Sequence, residues 1–145
     1  MRKLSRFGNR RGRRVGTAAT EFAIVFPLML VVTIGCIDLG RVAHSSMALI
    51  NGVSSAGEFA ATYSFTDYTY DAGIATIEER ITEELQTLSD FDPSKLTTVA
   101  SFDDQGSDQP TITIDATYPF ELVTSLPGLP GEIVLNHRIQ VVRYR

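Results

Sequence analysis

Phe22-Ala23-Ile24-Val25-Phe26-Pro27-Leu28-Met29-Leu30-Val31-Val32-Thr33-Ile34-Gly35-Cys36-Ile37 runs for sixteen residues without a charge and is closed by Asp38 and Arg41. As an α-helix it covers roughly 24 Å at ~1.5 Å per residue. That is short of a ~30 Å hydrocarbon core, but the uncharged Thr17–Thr20 upstream bring it near full length, provided Glu21 is accommodated. A core helix of a globular domain shows a polar stripe every 3.6 residues. Here apolar side chains cover the whole circumference, the pattern of a membrane-spanning helix.

Charge is divided around this segment. Seven of the 13 Lys and Arg residues (Arg2, Lys3, Arg6, Arg10, Arg11, Arg13 and Arg14) precede Gly16, where no acid occurs. Positions 17–145 keep six basic and 17 acidic residues, a formal charge of −11 beneath an overall −4. The positive-inside rule keeps the basic arm cytoplasmic and sends the acidic body across the membrane. An acidic body argues against a nucleic-acid partner. With 145 residues the chain has room for one domain and an appendage.

Beyond Asp38 the helical pattern continues through Leu39, Val42, Met47, Ile50 and Val53, among many small residues such as Ala48, Gly57 and Ala60. Glycine and serine weaken an isolated helix, so this stretch is expected to pack closely on something. After the aromatic stretch Tyr63–Tyr70, Ile74, Ile77, Ile81, Leu85 and Leu88 recur at helical spacing among charged residues. That pattern predicts an amphipathic helix over Asp71–Ser89, N-capped by Asp71 and followed by the Asp92-Pro93 break.

Three strands are predicted next, Leu96–Phe102, Thr111–Phe120 and Ile133–Tyr144, separated by the loop Asp103–Pro110 and by the Pro127, Gly128, Pro130, Gly131 break. Ile112, Ile114, Ala116 and Tyr118 alternate with Thr113, Asp115 and Thr117, the period-two signature of a half-buried strand. The expected fold is therefore α+β. A long N-terminal transmembrane helix continues into a small extracytoplasmic domain, where one amphipathic helix and the extension of the long helix cover a three-stranded antiparallel sheet. The expected divisions are a basic leader over 1–16, the span over 17–37, a helix extension over 38–62 and the domain over 63–145.

The boundary sequence Gly16-Thr17-Ala18-Ala19-Thr20-Glu21-Phe22 resembles the processing site of type IV prepilin-like proteins of the tight-adherence (Tad, or Flp) pilus class, in which Glu is followed by an aromatic residue. With Phe26-Pro27-Leu28, Ile37-Asp38-Leu39-Gly40-Arg41 and the Ala/Gly-rich Ser54–Ala61, the chain resembles a TadE-like minor pseudopilin, tightly over Gly16–Arg41 and loosely elsewhere. The resemblance implies cleavage after Gly16 by a membrane prepilin peptidase and a new α-amino group on Thr17. It also implies that the amine of a neighbouring subunit pairs with Glu21, and it makes Glu21 and Phe22 the residues of assembly and register. The implied partners are the prepilin peptidase, other pilus subunits and pseudopilins, the inner-membrane assembly machinery and membrane lipid. The implied location is the bacterial inner membrane, N-terminus cytoplasmic, with incorporation into the pilus.

Physical reasons accompany these assignments. A glycine lets a peptidase approach its backbone, and a lone carboxylate one turn into an apolar helix is costly without a partner. Pro27 reads equally as a tolerated kink and as a point of local melting in a filament. Asp38 and Arg41, at i,i+3, are expected to form a solvated pair at the outer interface.

Competing readings are weaker. Thr33-Ile34-Gly35-Cys36 partly matches a lipoprotein box with Cys36 acylated, which would make the chain a lipid-anchored binding module, and a plain membrane-anchored module unrelated to pili is the companion alternative. Arg10-Arg11 and Arg13-Arg14 lack the apolar context of a twin-arginine signal. Asp103, Asp104 and Asp108 lack the ligand spacing of an EF-hand. One Cys excludes an internal disulfide, and His44 and His137 stand far apart in the chain. Leu126–Gly131 has neither the spacing nor the donors of a phosphate loop. No catalytic, metal-binding or cofactor-binding set is expected, and the chain is not expected to be an enzyme.

Overall fold

The computed structural model describes residues 12–103, 110–123 and 131–142, with side chains from Gly16 onward. Helix α1 is Gly12–Thr62 and helix α2 is Tyr70–Leu85. A 3-10 turn, Pro93–Lys95, leads into strands β1 (Thr97–Asp103), β2 (Thr111–Glu121) and β3 (Glu132–Val142). The fold is α+β with a candidate membrane span. Two compact units meet at the Ile37/Asp38 junction.

In the first unit α1 is exposed along its length. From Gly16 to Ile37 almost every side chain is exposed, including Phe22, Ile24, Leu28 and Val32. Its hydroxyls turn back onto the helix: Thr20 Oγ1 donates to the carbonyls of Thr17 (2.8 Å) and Gly16 (3.2 Å), and Thr33 Oγ1 to that of Met29 (2.8 Å). Such back-bonding leaves no hydroxyl proton needing water, which suits a hydrocarbon environment. Pro27 sits inside the helix without ending it, although its missing N–H leaves the Ala23 carbonyl without its usual donor.

In the second unit the same helix becomes one-sided. Ser45, Ala48, Leu49, Val53, Ala56 and Ala60 are buried at helical spacing, while Met47 and Ile50 face outward. The small residues act as the sequence predicted. A Cβ on Gly52 would lie 3.1 Å from the Cα of Ile81, so α1 and α2 cross almost backbone to backbone. A Cβ on Gly57 would meet the side chains of Ile139 and Val141 at 3.3 Å, where α1 rests on β3.

The sheet has the order β1-β2-β3, antiparallel throughout, with Ile114 facing Ala100 on one side and Ile139 on the other. Ile112, Ile114, Ala116, Tyr118 and Phe120 of β2 are buried and alternate with half-buried residues, matching the predicted period of two. They share one core with Ile77, Ile81 and Leu85 of α2 and with the buried face of α1.

Helix α2 departs from its predicted limits at both ends. Its N-cap is Thr69, and Asp71 lies in the first turn, where a carboxylate still complements the helix dipole. The Thr69 hydroxyl is occupied by the preceding turn, accepting from Thr66 N–H and donating to Ser64 O. At the other end Thr87 Oγ1 donates to Glu84 O at 2.7 Å, and Leu88 N–H donates to Leu85 O. These i→i+3 contacts replace the helical ladder four residues before the predicted end.

The stretch between the helices is an aromatic corner. Tyr63 packs on Phe59 (4.7 Å between ring centroids) and on Phe65 (5.0 Å), and Phe65 meets Phe102 of β1 edge to face at 4.7 Å. Gly73 lies beneath it, where a Cβ would overlap the Phe65 and Tyr63 rings.

Ile81 is fully buried beneath Gly52. Ile81→Asp places an unpaired carboxylate there, at a cost on the order of 3 kcal/mol, and should lower the melting temperature of the detergent-solubilised chain by at least ~10 °C. Glu83→Asp, on the exposed side of α2, should leave it unchanged. Equal melting of both variants by tyrosine circular dichroism would show that the stripe does not seal the core.

Candidate functional site

Gly16, Thr17, Glu21 and Phe22 all lie on α1, so the helix rather than a loop presents them. Thr17 and Glu21 are four residues apart and share a face. Among the described residues nothing lies within 4 Å of where a Gly16 Cβ would stand, and the Gly16 carbonyl accepts from Thr20 Oγ1 at 3.2 Å. Phe22 stacks on Phe26 with centroids 5.3 Å apart, a ring pair on the exposed helix surface. Among the described residues the Glu21 carboxylate has no hydrogen bond or ion pair.

The start of the second unit holds an arrangement that differs from the expected one. Asp38 is 4 % exposed and is not a solvated partner of Arg41. Its Oδ1 accepts the backbone N–H of Val123 at 3.1 Å and the Arg41 Nη1 at 3.4 Å. The other arm of Arg41 reaches Asp90 Oδ2 at 2.8 Å, and the guanidinium lies 5.0 Å above the Phe120 ring. Asp38 thus ties the first turn of the second unit to the chain just past β2, and Arg41 ties it to the segment after α2. A buried carboxylate needs such donors, and removing them would strand its charge. The i,i+3 spacing was visible in the sequence. The burial was not, because Asp90 and Val123 are 49 and 85 residues away from their partners.

Charge elsewhere is pinned at the surface. The Ser94 hydroxyl and backbone N–H hold the Asp92 carboxyl below its usual range, and Asp92 caps the 3-10 turn. The Glu121 carboxylate, 2.6 Å from Lys95, raises that ammonium. On the open face of the sheet Asp115 accepts from Arg138 and from Asn136 Nδ2 (2.7 Å), and these contacts, Arg138 first, lower its pKa.

The other sequence candidates are scattered. Cys36 is exposed on α1, His44 is on the helix surface, and His137 is half-buried on β3 opposite Ala116. Asp103 ends β1, while Asp104, Asp108, the Pro127–Pro130 break, Tyr144 and the basic residues before Gly12 lie outside the described residues. Among the described residues no three His, Cys, Asp or Glu side chains converge on a common point.

The model of the TadE-like protein family matches residues 16–58, from Gly16 through the apolar run and the buried face of α1. Over those residues the chain is similar to the TadE-like family. The match ends within α1, so α2 and the sheet lie outside it. No curated protein and no solved structure matches the chain.

Asp115 supplies a pH test. Because its folded pKa lies below the ordinary 3.8, the stabilisation it gives is present above that value and is lost as pH falls through the lowered one. Asp115→Asn should therefore melt below the parent chain at neutral pH, and the gap should close as pH falls below 3.8 and through the lowered pKa. A gap independent of pH would remove the Arg138 contact from the account of stability.

Proposed function

We propose that this chain is a minor pseudopilin that takes part in assembling the tight-adherence pilus, matured by prepilin peptidase cleavage after Gly16. The observation that carries the reading is the Glu21 carboxylate, without a partner among the described residues and one turn into an otherwise apolar and exposed helix. In lipid such a charge is expensive. A processed neighbour offers a matching cation, the free amine of its Thr17. Pairing would offset the desolvation of both charges and set the axial offset between adjacent helices.

In this reading the basic residues before Gly16 stay on the cytoplasmic side of the bacterial inner membrane, and the second unit is extracytoplasmic. The partners are the peptidase, the other pilus subunits and pseudopilins, and the inner-membrane assembly machinery. The chain works by association, with no catalytic step of its own. Support comes from a family match that opens at Gly16 and from the free space beside that residue among the described residues.

Gly16→Val should block maturation, because a branched side chain would obstruct the peptidase where there is otherwise free space. On a gel the precursor should run heavier by its retained leader when peptidase is present. Wild-type mobility would remove processing at this residue.

Glu21→Gln separates processing from assembly. The amide keeps the shape and can hydrogen-bond, but it cannot offset a full positive charge in lipid. Maturation should survive while crosslinking to other pilus subunits and surface fibre counts fall. Undiminished crosslinking by a processed variant would make Glu21 a tolerated interfacial carboxylate.

A further inference from the structure

The second unit contains a cleft of about 180 Å³ that neither the core nor the proposed assembly contacts use. Arg41 and Ser45 of α1 line one side, Asp90 and Phe91 another, and Tyr118 and Phe120 of β2 the floor. Ser45 is 2 % exposed, and among the described residues its hydroxyl has no hydrogen-bond partner. Its Oγ is reached from the cleft, where it can donate to a ligand in place of water.

The charges around the cleft are specific. Arg41 and Asp90 meet at 2.8 Å, and the Asp90 side chain is 69 % exposed, so this pair is open to a ligand. The guanidinium has five N–H donors, of which one is directed at Asp38 and one at Asp90. Asp38, Arg41 and Asp90 together carry one net negative charge. A simple anion would gain the guanidinium but face both carboxylates. A ligand with adjacent negative and positive groups would match Arg41 and Asp90 at once. The walls suit short methylene groups, with Phe91 and Tyr118 packed at 5.4 Å between centroids and Arg41 above Phe120.

Position narrows the class further. Arg41 follows the end of the apolar run by four residues, so at ~3.6 Å per residue the chain holds it within about 14 Å of Ile37 in any arrangement of the two units. The polar layer on each side of a bilayer is roughly 5–8 Å thick. The cleft is thus tethered within reach of lipid head groups.

We propose that the cleft binds the phosphoethanolamine head group of a zwitterionic phospholipid, the phosphate oxygens accepting from Arg41 and Ser45 and the ammonium donating to Asp90. The proposal rests on the reading of α1 as a membrane anchor, and flotation of the full chain with vesicles tests that reading separately. The cleft is tested on the full chain in nanodiscs of equal phosphatidylethanolamine and phosphatidylglycerol, with native mass spectrometry reading the retained lipid. In a parallel arm the detergent-solubilised chain is titrated with phosphoethanolamine and with inorganic phosphate, following the Tyr118 ring by NMR.

Phosphatidylethanolamine should be retained over phosphatidylglycerol, and Asp90→Asn should erase the preference. Ser45→Ala should weaken phosphoethanolamine binding by about fivefold, the scale of one hydrogen bond. Retention at the bulk lipid ratio by a chain that floats, or inorganic phosphate binding as well as phosphoethanolamine, would overturn the proposal. A chain that fails to float contradicts the anchor reading instead, and the soluble titration still decides the cleft.

Discussion

A single helix, α1, has to satisfy two different surroundings, and the rest of the structure is arranged around that constraint. From Phe22 to Ile37 its side chains are almost all apolar and exposed on every side. From Asp38 onward one face is buried under α2 and the sheet while the other remains open. Lipid imposes no direction around a helix, so the first part has no reason to be amphipathic. A two-layer domain does impose one, and small residues then appear where backbones approach, as at Gly52 against Ile81.

Carboxylates mark the points at which the surroundings change. Asp38 is the first charged residue after the apolar run and is buried at once, held by a backbone N–H from beyond β2 and by Arg41. The contact links residues far apart in the chain, so the helix leaves the apolar run already fastened to its own domain. Glu21 is the opposite case, a charge whose own chain supplies no partner among the described residues. In the proposed reading an isolated subunit carries a charge that association balances, which would make a local electrostatic feature a reason to assemble.

Most of the architecture was legible because it rests on periodicity. The uninterrupted apolar run, the Ile74-to-Leu85 stripe and the alternation of Ile112, Ile114, Ala116 and Tyr118 are each local patterns, and each appears as the element it predicted. What escaped depends on contacts between distant residues or on competition for hydrogen bonds. The end of α2 was set by the Thr87 hydroxyl taking a helix carbonyl, and its start by Thr69 serving the preceding turn. The aromatic stretch after α1 looked like a linker, yet Phe65 packs on Phe102, and Gly73 is required beneath it. Asp38 looked solvated because its partners were invisible. Gly16, Glu21 and Phe22 were singled out by their spacing, and the structure places all three on α1.

The role proposed for Glu21 depends on a free amine at Thr17, and that depends on cleavage after Gly16. Intact mass and N-terminal sequence of the wild-type chain extracted from membranes test this step directly. A chain beginning at Thr17 is the expected result. A chain that retains the residues before Gly16, or one that begins at an acylated Cys36, would contradict it.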